Sequence, residues 1–245
     1  MRLAQAWIVT QHDLGLLRRR RSVFGALVAL PLGVGVGFPL LVRYILETSK
    51  SMPPGTLENL LGAFAFWFVI AAATLPVSIA SYSLVGEKIE KSLEPLLATP
   101  TTDSEILFGK VLAALLPTLL AVWAGSAIFM ALCDRIVASR LGAFYYPNVP
   151  MLVMLFALVP LTCLVAVELA VIVSSRVSDV RSAQQISGLL FLPFLLLYIT
   201  AEIGAITLDT TTMLYLAGLF AAAALALFYS SRRIFGREEI LTRWK

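Results

Sequence analysis

Long apolar runs alternate with short polar breaks along this chain, and the runs are too long for the elements of a soluble core. Six of them meet or approach the about 20 residues a helix needs to cross a bilayer. They are Ser22–Val42, Asn59–Val85, Ile106–Leu132, Met151–Val173, Ala183–Thr200 and Thr212–Ser230. The fifth is the shortest, and the fourth carries an acid, Glu168, within it. No Gly/Ser-rich linker or shift of composition divides them. The pattern therefore predicts a single integral membrane domain over residues 1–245, all-α, with six transmembrane helices.

Ahead of the first run, "RLAQAWIVTQHDLGLLRRRR" mixes Leu3, Trp7, Val9, Leu14 and Leu17 with polar residues and ends in a basic cluster. This predicts an N-terminal amphipathic helix lying along the membrane interface, with Trp7 at headgroup depth. His12, the single histidine, reads as an interfacial polar residue. The first run begins late, exceeds a typical signal-peptide core and has no small-residue cleavage site after it, so it reads as a span. Within it, Gly33 and Gly37 form a G-x-x-x-G pair. That pair either seats a close helix contact or reflects the general richness of membrane helices in Gly and Pro.

Composition removes the soluble classes. Hydrophobic residues make up 59% of the chain and charged ones 14%, against about 45–50% and about 25% in soluble domains. The basic residues that remain set a topology. Of 19 Lys and Arg, fifteen fall on one side: Arg2, Arg18–Arg21, Lys88, Lys91, Lys110, Arg176, Arg181, Arg232, Arg233, Arg237, Arg243 and Lys245. Arg43, Lys50, Arg135 and Arg140 fall on the other. Both termini are thus expected to be cytoplasmic in a multi-pass plasma (inner) membrane protein, and no nucleic-acid partner is needed to explain the charge. Cys133 and Cys163 sit in or beside separate apolar runs as small fillers, with no metal-ligand spacing. One histidine and one intramembrane acid do not supply an enzyme's cluster of acid, base and nucleophile. No catalytic residue, metal or bound cofactor is expected in this chain.

The charge that breaks the pattern is concentrated in "GEKIEKSLEPLLATPTTDSEILFGK", Gly86–Lys110. Ile89, Leu93, Leu96 and Leu97 recur at helical spacing, while Glu87, Lys88, Glu90, Lys91 and Glu94 mostly occupy the rest of the turn. Pro95 breaks any single long helix, because it lacks the N–H and clashes with the preceding turn. Thr102 and Glu105 fit a capping box that starts the third span. The result is a short, bent amphipathic helix between spans two and three, ending at Thr99–Pro100. Its leucine stripe suits docking on another protein. Five acids against three bases suit an anionic bilayer surface poorly.

This stretch resembles the cytoplasmic loop of ABC-2-type permeases, the membrane subunits of ATP-binding-cassette exporters. Their pattern reads roughly E-(K/R)-x-x-x-(T/S)-L-E-x-L-L-x-T-P, then E-x-x-x-G-K. Glu87, Ser92, Leu93, Glu94, Leu96, Leu97, Thr99, Pro100, Glu105, Gly109 and Lys110 fall on it, with Ser92 where Thr is commoner. "VIVSSRVSDVRSAQQISGLLFLP" is similar to the segment between the family's fourth and fifth spans. The resemblance implies a transport subunit whose coupling helix rests on a separate ATPase through Glu87, Glu90, Leu93, Glu94, Leu96, Leu97 and Pro100. It further implies two permeases, as a homo- or heterodimer, and two ATPases, which bind ATP and Mg. This chain has no G-x-x-x-x-G-K-[ST] phosphate loop, in keeping with that division. A non-transporting scaffold that binds such an ATPase is the alternative. The sequence does not specify the transported substrate.

Glu168 is the candidate for the substrate pathway, since intramembrane acids usually face a bundle interior or a wet cavity. The other reading places it near the cytoplasmic headgroups, hydrated. Glu202 and Asp209 bracket the last external loop, and "FYYPN" around Asn148 reads as an external aromatic belt.

Overall fold

A computed structural model describes residues 3–19, 21–49, 53–89, 102–177, 179–189, 191–202 and 207–234. Every regular element among them is helical. Helix α1 covers Leu3–Arg19, α2 Arg21–Thr48, α3 Pro54–Ile89 and α4 Asp103–Leu141. Helix α5, Val149–Val153, runs through a π-helical turn at Met154–Leu158 into α6, Val159–Arg176. Then come α7, Val180–Gly188, α8, Phe191–Glu202, and α9, Thr210–Ile234. Five stretches are long and apolar enough to cross a membrane: Ser22–Thr48, Gly55–Ser81, Ser104–Ala138, Val149–Ser174 and Thr210–Ser230. The chain is a multi-pass membrane protein.

The fifth run departs from the expected single helix. It is built as two helices, α7 ending at Gly188 and α8 starting at Phe191. Pro193 explains the break. It has no N–H to reach back to the Leu189 carbonyl, and the Leu192 N–H takes that oxygen instead at 3.1 Å, in a tighter turn. At its other end α7 is capped by Asp179, whose carboxylate accepts from the Ser182 N–H at 3.0 Å and its hydroxyl at 3.1 Å. These bonds hold the Asp179 carboxyl below its usual range.

The π turn has a similar origin. Pro160 cannot donate to Phe156, so the ladder shifts register and the Val159 N–H bonds to the Met154 carbonyl. The indole of Trp123, on α4, donates to the Leu155 carbonyl at 3.0 Å and ties the turn to its neighbour.

Helix α3 is the axis of the bundle. It packs on α2, α4, α6, α7 and α8, and 78% of its membrane window is buried, against 17% for α9. In lipid, helices gain little from hiding apolar surface and associate by close packing instead. The centre of α3 is accordingly small and tight, with Ala71, Ala72 and Ala73 fully buried. Phe68 meets Phe129 of α4 edge-on at 5.6 Å, and Phe38 of α2 stacks on Phe64 at 4.6 Å. Leu30, Val36, Leu40 and Leu41 on α2 point outward, as do Leu214, Leu219 and Leu225 on α9.

The structure bears on two small features of the sequence. Gly33 and Gly37 make no close contact inside the chain. Gly35, between them, is the packing residue: a Cβ there would lie 2.5 Å from the Gly125 carbonyl oxygen of α4, and one on Gly125 would lie 2.6 Å from that of Pro31. The "FYYPN" segment is only partly a belt. Phe144 is exposed, but Tyr146 is buried, and its hydroxyl donates to the Leu61 carbonyl at 3.1 Å. Asp134 holds the turn by accepting from the backbone N–H groups of Tyr145 and Tyr146 at 3.0 and 2.9 Å.

Candidate functional site

The charged island divides at the edge of what is described. Helix α3 runs on through Gly86 to Ile89, so span two extends into the island as expected, and Glu87 lies on this last turn. Glu90, Leu93, Glu94, Leu96, Leu97 and Pro100 lie outside the described residues. From Thr102 onward the contacts are specific.

Thr102 and Glu105 form the expected capping box at the start of α4. The Glu105 carboxylate accepts from the Thr102 N–H at 3.0 Å and is itself buried, 3% exposed. One turn further, α4 meets α1. A Cβ on Gly109 would lie 2.7 Å from the Ala6 carbonyl oxygen and 2.8 Å from the Val9 Cβ. Only glycine lets the two backbones come this close. The hydroxyl of Thr10 uses the approach by donating to the Gly109 carbonyl at 3.0 Å.

Lys110 then reaches Asp13 across the same junction, Nζ to Oδ2 at 3.5 Å, with both side chains buried. The sequence placed Lys110 among the topology-setting charges. The structure gives it a second task, as half of a buried ion pair between helices 97 residues apart in the chain. His12, by contrast, is exposed, with its Nδ1 3.4 Å from the Oδ1 of its neighbour Asp13.

Helix α1 is therefore anchored to α4 by Ala6, Val9, Thr10 and Asp13, all buried like Leu17 one turn on, while Trp7 and Ile8 remain exposed. No signal in α1 alone identifies this. The periodic positions 6, 9, 10, 13 and 17 include a threonine and an aspartate, which a search for an apolar stripe passes over. The E-x-x-x-G-K spacing on α4 was the available clue.

Glu168 lies on α6, which packs against α3, α4, α7 and α9. It is 5% exposed, and its Oε2 has no hydrogen-bond partner among the described residues. The Ser81 hydroxyl on α3, Thr162 on α6 and Ser187 on α7 are buried and unpartnered in the same sense. Polar atoms left in this state are costly unless water or a polar solute reaches them. Hydrogen-bonding to water or to a polar solute is what each of these atoms can do chemically. Among the described residues, no group of three His, Cys, Asp or Glu is placed to hold a metal. Cys133 and Cys163 are buried free thiols.

No curated protein matches the chain significantly. The family model described as ABC-2 family transporter protein matches residues 7–216, spanning α1, the island, the α4 foot and Glu168. With its multi-pass helical architecture, the chain belongs to the ABC-2 transporter family and is a permease, the membrane transport subunit of an ATP-binding-cassette system.

Proposed function

We propose that this permease is half of an exporter in which two membrane subunits enclose the substrate path and two copies of a separate ATPase bind ATP and Mg. The observation that carries this reading is the foot of α4. Glu105, Gly109 and Lys110, which close the island at the family's spacing, each fasten the start of α4, two of them to α1. A force applied to the island then enters the bundle through α3 and α4 together, and α1 moves with α4 as one body.

In this mechanism Leu93, Leu96 and Leu97 sit in a groove of the ATPase, ringed by Glu87, Glu90 and Glu94, and Pro100 ends the docking helix. Closure of the ATPases pushes on the island, and the helices rock around a path that passes Glu168. Each nucleotide state must bind one conformation better than the other, or nothing shifts. Helices α7 and α8 make the sixth crossing together, as a broken helix. Helix α1 lies at the cytoplasmic interface with Trp7 and Ile8 toward the headgroups, and both termini are cytoplasmic in the plasma membrane.

Replacing both Leu96 and Leu97 by Asp tests the coupling. Burying each leucine is worth roughly 1.5–3 kcal/mol, so the double variant should release the ATPase from the membrane or leave it bound and uncoupled. Co-purification and transport are measured side by side. Full ATPase retention with normal transport would sink the coupling role. A wild-type complex that assembles yet moves no substrate would favour the scaffold.

A further inference from the structure

A second polar feature lies at the end of the bundle opposite the island, where α3 begins and α4 has ended. A cavity of about 290 Å³ opens there between the first turns of α3, the turn after α4, the π turn and the start of α9. Its lining is divided. Glu58 and Asp209 supply the charge, both exposed, and no Lys or Arg lines it among the described residues. Below them lie Met151, Met154 and Met213, each 3% exposed or less, half of the six methionines in the chain. Tyr145 and Tyr146 form a wall, their rings edge to face at 4.8 Å.

Each part of the lining favours the same kind of ligand. Two carboxylates, with no counter-cation on the cavity among the described residues, attract positive charge and repel anions. Tyrosine faces attract cations through the ring quadrupole, most strongly for weakly hydrated ones. Thioethers are polarizable and flexible, and adapt to apolar bodies of varied shape. The volume is at the small end for ligand pockets, too small for a lipid. Asp209 keeps its charge while committed to structure: one oxygen caps α9 by accepting from the Thr212 N–H at 2.9 Å, which holds its carboxyl below the usual range.

We propose that this cavity is a binding site for a small organic ammonium ion with an apolar body, its charge at Glu58 and Asp209 and its body on the methionine floor. The site goes beyond the exporter reading, because binding here does not depend on what drives transport. Its position at the end remote from the coupling loop makes it a point of substrate exit or of regulation from outside.

The test uses purified protein in nanodiscs of neutral lipid, titrated with benzyltrimethylammonium and, separately, with the anion phenylmethanesulfonate. The cation should bind saturably and the anion should not. Glu58→Gln with Asp209→Asn removes both charges while Asn keeps the helix cap, and should weaken cation binding about tenfold. Gly62→Leu fills the cavity from α3, where a Cβ meets nothing within 4 Å, and should abolish binding. Thermal unfolding of each variant confirms that it folds. Absence of saturable cation binding to the wild type, or binding that survives Gly62→Leu or the charge-neutral pair unchanged, overturns the site. Because neither ATPase nor transport enters the assay, failure here leaves the exporter reading standing, and failure of coupling leaves this site standing.

Discussion

At the scale of single residues, the Asp13–Lys110 pair makes the sharpest statement. Burying two opposite charges is costly, and their attraction offsets that cost only while both are present. Removing one takes from the other its opposite charge across the α1–α4 junction. Lys110→Met should therefore destabilise the purified protein by about 3–5 kcal/mol, read as a fall in thermal unfolding temperature. Asp13→Asn combined with Lys110→Met should recover a large part of the loss, since no net charge is then left buried. A single variant as stable as the wild type would mean the pair is hydrated and carries no structural load. Glu168 differs in kind. It is one acid on α6, and among the described residues its Oε2 meets no donor.

At the scale of elements, backbone proximity decides which glycine matters. Helices α2 and α4 cross where Gly35 faces the Gly125 carbonyl, and helices α1 and α4 cross where Gly109 faces Ala6. A side chain at either crossing must push two helices apart. Gly33 and Gly37 meet open space within the chain. Gly35→Leu should accordingly lower stability by about 1–3 kcal/mol, the usual cost of overpacking, while Gly33→Leu leaves the chain's own stability near wild type. Equal effects at the two positions would refute the crossing. Two irregular places in the helices, the π turn before Pro160 and the break before Pro193, share one cause: a proline removes an N–H and the ladder finds another register.

At the scale of the whole molecule, the crossing-length helices α2, α4 and α6 and the sixth apolar run in its two pieces, α7 and α8, pack on α3, while α9 packs on α6. The basic bias assigns sides to them. Cysteines introduced singly at Lys50, Asn148 and Asp209 should react with an impermeant thiol reagent in intact cells, and one at Ser92 should not. The reverse pattern would invert the topology, and with it the assignment of the island to the ATPase and of the acidic cavity to the outer face.

The sequence by itself determined the class of this molecule, because crossing a bilayer demands runs of apolar residues that no other requirement produces. It gave five of the spans to within several residues and the Thr102–Glu105 cap, since both are local: one is a matter of length, the other of four consecutive residues. The family motif was equally local, so the permease identity was legible from Glu87 to Lys110. Tertiary structure alone decided which residues meet. Nothing in α1 announces that Thr10 and Asp13 will be buried, because their partners, Gly109 and Lys110, stand about a hundred residues away. The choice of Gly35 over Gly33 depends on the angle at which α4 crosses. The cavity between Glu58, Tyr145, Met154 and Asp209 exists only because the turn after α4 and the start of α9 come to rest on the first turns of α3.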